Sequence, residues 1–315
     1  MHDVARQKAF VNKVIENDIV TAINTNDGTL DEEDFSKIRD YYGFGVPAIV
    51  GEGICSLRGQ AMSHEERQAS TYQGALTGLY DDFFDKSHLS HGDIRTMMED
   101  PFSYNPASSL EILFIHFLRN VLQGLPDKAY FTATFDRVYQ AQVDSHAQED
   151  PGISWDKIRE ITFRKGGVSL LFYRSVFRHK LRPGEEDALY NAGSLMQLGN
   201  DIFDVYKDHN KQIMTFMTRC NNIDEVRREF NDQLRKTIKL IKSLDYRERQ
   251  KRSFLHKFLL GISRCWVCLD QLERLEIKTN GVFRPPAYSR DEMICDMEKP
   301  ANMIRSIRYY LGYRL

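Results

Sequence analysis

The chain lacks any apolar run long enough to cross a bilayer. Its longest, such as 168–173 and 258–262, fall far short of the ~20 residues a spanning helix needs. The amino terminus, MHDVARQKAF, lacks the apolar stretch of a secretory signal, so a cytoplasmic protein with no transmembrane segment is expected. Positive charge is not in excess. With a formal net charge of −2 there is no basic field to attract nucleic acid, which is excluded as a partner. Cysteine is scarce: Cys55, Cys220, Cys265, Cys268 and Cys295 are too few and too scattered for a disulfide framework. Cys265 and Cys268 form a CxxC, but no second pair stands at zinc spacing and GISRCWVCLDQL reads as helix, so ordinary buried thiols are expected. Two-residue alternation is missing throughout, which excludes a half-buried sheet.

What remains is helical period in nearly every segment, and no composition break divides residues 1–315 into domains. An all-α, single-domain bundle of about ten or more helices is predicted. An amphipathic helix is expected over 4–24 and a second over 31–42, followed by a bend at GFGVPAIVGEG. Ser63 with Glu66 three residues later is a capping box, opening a long helix from about 62 to 85. SSLEILFIHFLRNVLQGL is apolar nearly all round and reads as a buried helix. Further helices are expected over 127–146, from 154 through ITFRKGGVSLLFYRSVF, and from Pro183 to NDIFDVYKD. Three more follow, over 223–244, 249–275 and 301–315, with YRERQKR as a solvated link. Gly166 and Gly167, at about 1 kcal/mol each relative to alanine inside a helix, predict a kink or a close approach of ligand to backbone.

Two acidic stretches stand out. In DDFFD, Asp81 and Asp85 are four apart and share a helix face, while Asp82 is turned about 100° away. Acids at a helix carboxyl end oppose its dipole, and Phe83 and Phe84 point to partial burial. A hard cation such as Mg²⁺ resolves the repulsion by taking carboxylate oxygens and bridging them to substrate phosphates. The second stretch holds Asn200, Asp201, Asp204 and Asp208. There Asn200, Asp204 and Asp208 fall at i, i+4 and i+8, one stripe of oxygen ligands. Two facing helices carrying such stripes would hold a cluster of metal ions between them.

NDIFDVYKD resembles the second metal motif of class I terpene synthases, Asn-Asp-x-x-Ser/Thr-x-x-Lys/Arg-Glu. Asn200, Asp204 and Asp208 match its three ligands, with Asp204 in place of Ser or Thr and Asp208 in place of Glu, and Lys207 matches the basic residue that reaches the diphosphate. DDFFD resembles the first motif. Arg164, with Lys165 beside it before Gly166 and Gly167, resembles the family's diphosphate-sensing arginine next to a helix break. Arg308 and Tyr309 resemble the arginine–tyrosine pair that closes over the diphosphate. LRGQAMSHEERQAS resembles the less common class IB cyclases that act on long prenyl chains. The resemblance implies the isoprenoid synthase fold around a central apolar cavity, three Mg²⁺ ions, a linear prenyl diphosphate substrate and a homodimer.

It also implies the chemistry: ionisation of the allylic diphosphate, with Arg164 and Lys207 acting on the leaving group, and cyclisation of the carbocation to a terpene hydrocarbon or alcohol. Phe84, Phe163, Phe172, Tyr173 and Trp266 are candidates for an aromatic wall around the cation. The alternative is a prenyltransferase, either chain-elongating, as QLGNDIFD suggests, or head-to-head, like squalene and phytoene synthases with their Asp-x-x-x-Asp repeats. Against elongation, KSHLSHGDIR lacks the paired arginines that follow the first motif in those enzymes, and no GGKxxRP-like segment is present. Against head-to-head coupling, FRKGGVS matches that family's helix motif poorly. A non-catalytic scaffold is the third reading, opposed by the retention of both acidic stripes, because facing carboxylates with no metal destabilise a bundle.

Overall fold

The computed structural model describes the backbone of residues 2–85 and 89–315, and every regular element among these is helical, with no strand. None of the described helices is long and apolar enough to cross a membrane. The chain packs as two compact units, Met1–Ala133 with Phe172–Lys180, and Thr134–Leu171 with Leu181–Leu315. The boundaries fall inside helices α9 (Lys128–Ser145) and α10 (Trp155–Arg174). No linker composition accompanies such a boundary, which is why the sequence shows no break.

The first unit contains α1 (His2–Val14), α2 (Glu16–Asn24), α3 (Glu32–Ser36), α4 (Gly43–Gly45), α5 (Glu52–Arg58), α6 (His64–Asp85), α7 (His91–Glu99) and α8 (Ser109–Gln123). The helix expected over 4–24 is two, parted at the buried Ile15. The predicted bend at GFGVPAIVGEG is a correction: the chain stays helical there, through π segments at Lys37–Tyr42 and Val46–Gly51 on either side of α4. Pro47 sits in the opening turn of the second segment, where a missing N–H costs least. It offers no N–H to the carbonyl five residues back, on Tyr42, and there α6 comes close: a Cβ on Gly74 would lie 2.4 Å from that oxygen. The predicted capping box forms. Ser63 N–H donates to Glu66 Oε2 at 3.0 Å and Glu66 N–H to Ser63 Oγ at 3.2 Å. Beneath it, Arg58 Nη2 pairs with Glu66 Oε2 and Arg67 Nη2 with Glu52 Oε1, each at 2.5 Å and each buried.

The second unit adds α11 (Glu185–Phe203), α12 (Val205–Asn210), α13 (Phe216–Arg219), α14 (Ile223–Ser243), α15 (Glu248–Lys278), α16 (Arg290–Met293) and α17 (Pro300–Gly312). Most of YRERQKR belongs to α15 rather than to a link. A second correction concerns Gly166 and Gly167, since α10 runs unbroken through both. Their function is packing. A Cβ on Gly166 would lie 2.2 Å from Gly193 O, a Cβ on Gly193 2.2 Å from Gly166 O, and one on Gly167 2.5 Å from the Tyr190 ring. The backbones of α10 and α11 thus touch, and this contact presents their polar residues to one another.

Candidate metal and diphosphate site

Asp204 ends α11 and opens α12, with φ −90 and ψ 10. The hydrogen-bond ladder continues across it, from Asp204 N–H to Asn200 O at 2.9 Å and from Asp208 N–H to Asp204 O at 2.8 Å. The i, i+4, i+8 stripe predicted for Asn200, Asp204 and Asp208 therefore survives the break. Asn200 Nδ2 donates to Asp204 Oδ2 at 3.2 Å, and Lys207 Nζ, largely exposed, stands 4.0 Å from the same oxygen. Burial pushes the Asp208 carboxyl up, the charges of Asp201 and Asp204 add to it, and opposition from Lys207 and Thr215 leaves it at about 7. A carboxyl crowded in this way by like charge is one that a cation would relieve.

Asp201 faces inward. Its Oδ2 accepts from Thr162 Oγ1 of α10 at 3.0 Å and its Oδ1 from Gln197 Nε2 at 3.1 Å. Burial pushes this carboxyl up, while those hydrogen bonds and the nearby Lys165 charge oppose it, leaving it at about 6. Arg164, the neighbour of Lys165 on α10, donates through Nη1 to Asp144 Oδ2 at the end of α9. Lys165 therefore lies toward the acidic stripe and Arg164 is tethered by Asp144. The sequence reading missed Asp144, Thr162 and Thr215. Their only local signal is Gln140, whose amide donates to Asp144 Oδ1 from four residues earlier at 2.9 Å.

Asp81, Asp82 and Asp85 end α6 in the first unit. The side chains of Asp81 and Asp85 lie outside the described residues. Asp82 is 3% exposed, and its Oδ1 accepts from Lys37 Nζ at 3.3 Å, with Asp34 Oδ1 and Glu33 Oε1 each 3.5 Å from the same ammonium. Asp82 is engaged with the α3 region, on a different side of the helix from the pair Asp81 and Asp85.

Other sequence candidates take packing positions. Tyr309 Oη donates to Asp270 Oδ2 at 2.6 Å and its ring stacks on Trp266 at 5.4 Å, while Arg308 beside it is exposed. Trp266 also stacks on Tyr313 and donates Nε1–H to Asn231, which places it in the packing of α14, α15 and α17. Phe172 is buried against Phe131, and Phe163 lies against Phe216. All five cysteines are buried free thiols.

Hard oxygen donors at i, i+4 and i+8 suit Mg²⁺, and the Asn200–Asp204–Asp208 stripe supplies an amide and two carboxylates. Among the described residues no group of three or more His, Cys, Asp or Glu side chains is gathered as a metal site.

No protein-family model and no curated protein matches the chain. Among solved structures, it is similar to a geranylgeranyl pyrophosphate synthetase from the archaeon Geoglobus acetivorans, at 13% identity and a TM-score of 0.48, over 81% of this chain and 96% of that one.

Proposed function

We propose that this chain ionises a linear prenyl diphosphate in a Mg²⁺-dependent reaction and cyclises the resulting allylic cation to a terpene. The observation that carries the reading is the stripe Asn200, Asp204 and Asp208, kept in register across the α11–α12 break with Asp208 raised by its acidic neighbours. These three residues would hold Mg²⁺, and Asp81 and Asp85 of the first motif would supply further ligands in a set of three ions. Bound there, the metal supplies charge stabilisation for the diphosphate leaving group. The chain's own part is to bring cations to the same oxygens: Lys207 from the stripe, and Lys165 and Arg164 from α10, with Arg308 and Tyr309 as outer candidates. Asp144 holds the guanidinium of Arg164 in place, and Asp201 ties α11 to Thr162 of α10. An apolar wall must then keep water from the cation. The reading includes a cytoplasmic protein and a homodimer.

The second reading is coupling of two prenyl units, favoured by the aspartate-rich form QLGNDIFD. One experiment separates the two. Purified protein with Mg²⁺ is given each linear prenyl diphosphate, with and without isopentenyl diphosphate, and the extracts are analysed by mass spectrometry. A cyclic hydrocarbon or alcohol formed without isopentenyl diphosphate, and lost in Asn200→Ala and Asp208→Asn, is the expected result. Longer diphosphates that need isopentenyl diphosphate, or a doubled hydrocarbon, would establish coupling instead. Absence of turnover on every chain length would remove both.

A further inference from the structure

Helix α17 is inverted with respect to the usual amphipathic arrangement, in which the apolar face packs inward. Its inner face is polar: Ser306 Oγ lies 2.8 Å from Ser263 Oγ of α15, Asn302 is buried, and Tyr309 bonds to Asp270. Its outer face carries Met303, Ile304, Ile307 and Leu311, spaced three and four apart, with Ile304 52% and Leu311 72% exposed. Beside it runs a stripe of α15 at spacing four, Arg252, His256, Leu260 and Arg264. Leu260 is 51% exposed, and His256 Nδ1 is 3.1 Å from Tyr310 Oη of α17.

The charges of this surface have one sign. Arg252, Lys257 and Arg264 of α15 and Arg305, Arg308 and Arg314 of the carboxyl-terminal segment are all exposed, and residues 249–269 and 299–315 contain no Asp or Glu. In a chain with a net charge of −2 this is a segregated basic patch around an exposed apolar stripe. Large apolar side chains fully exposed together mark an interaction surface. A second copy of the chain is a poor occupant, because a two-fold contact sets the same patch against itself, arginines facing arginines. A nucleic acid would leave the apolar stripe in water.

We propose that this face docks on an anionic lipid bilayer. Leu260, Met303, Ile304, Ile307 and Leu311 enter the boundary between headgroups and acyl chains, and the flanking cations pair with lipid phosphates. The proposal rests on α15 and α17 alone and is independent of the reaction catalysed.

Co-sedimentation of the full chain with vesicles tests it, using phosphatidylcholine alone and phosphatidylcholine mixed with phosphatidylglycerol. The expected result is binding to the mixed vesicles only, reversed by high salt. Two double variants, Ile304→Glu with Leu311→Glu and Arg305→Glu with Arg314→Glu, change exposed residues and keep the unfolding midpoint. Each should lower partitioning about tenfold or more. Failure of the wild type to bind anionic vesicles, or binding by the variants equal to wild type, overturns the proposal. Light scattering guards the remaining possibility: a dimer split by Ile304→Glu with Leu311→Glu would assign the face to a second copy and overturn the lipid assignment.

Discussion

Asp82 and Lys37 are 45 residues apart in sequence and 3.3 Å apart in space. Asp82 is nearly inaccessible, and the same ammonium also faces the buried Asp34. Removing one partner of a buried pair leaves an uncompensated charge, at about 3 kcal/mol or more. Lys37→Met should therefore lower stability in urea by that amount. Adding Asp82→Asn should recover part of the loss and not all, because Asp34 remains. Equal stability of wild type and Lys37→Met would show that the pair contributes nothing.

Arg164 and Asp144 are each about one-third exposed, so their pairing contributes little stability, about 1 kcal/mol or less. Its expected effect is on orientation. Asp144→Ala should leave the unfolding midpoint within a few degrees of wild type and lower kcat roughly 10- to 100-fold, with KM less affected. Steady-state kinetics on the substrate identified by the product assay checks this, and an unchanged kcat would relieve Asp144 of any positioning role.

Glu66 gives the protein an acid limit. Burial raises its carboxyl, but the hydrogen bonds from Arg58 and from the backbone N–H groups of Ser63 and Arg178 outweigh that and hold it at about 2, against an ordinary value of 4.5. A depressed folded value means the stabilisation is full above about pH 4.5 and drains away as pH falls toward 2. Its size is about 3 kcal/mol. Urea midpoints measured from pH 6 downward should fall more steeply for wild type than for Glu66→Gln, which starts less stable. Parallel curves would contradict the assignment.

Two glycines inside helices should respond to alanine with opposite sign. At Gly166 the new methyl meets the Gly193 carbonyl at 2.2 Å, so Gly166→Ala should destabilise by about 3 kcal/mol or more. At Gly261 of α15 nothing lies within 4 Å, and Gly261→Ala should stabilise by about 0.5–1 kcal/mol. Thermal melts of the two variants check both signs.

The same glycines show where a sequence stops being readable. A glycine pair lowers helix propensity whatever its purpose, and the sequence does not reveal that Gly193, on another helix, needs the space. Likewise GFGVPAIVG has the composition of a bend, yet close contact with α6 keeps it helical. Period and capping read well because they are local: Ser63 and Glu66, three residues apart, announced the start of α6, and the i, i+4, i+8 spacing announced the acidic stripe. Lys37 as the partner of Asp82, and Asp144 as that of Arg164, are contacts between distant segments. No local pattern encodes them.

Each π segment has i→i+5 hydrogen bonds, so it accommodates one residue more than an α-helical turn would. Between Lys37 and Gly51 there are two such segments. Deleting a single residue from either would permit a regular α-helix while rotating everything that follows by about 100°. Glu52 would then turn away from Arg67, its partner at 2.5 Å. This stretch is therefore where the length of the chain is fixed to the residue, and a one-residue deletion there should be far less tolerated than one in the exposed turn at Gly28, where a Cβ would meet nothing within 4 Å.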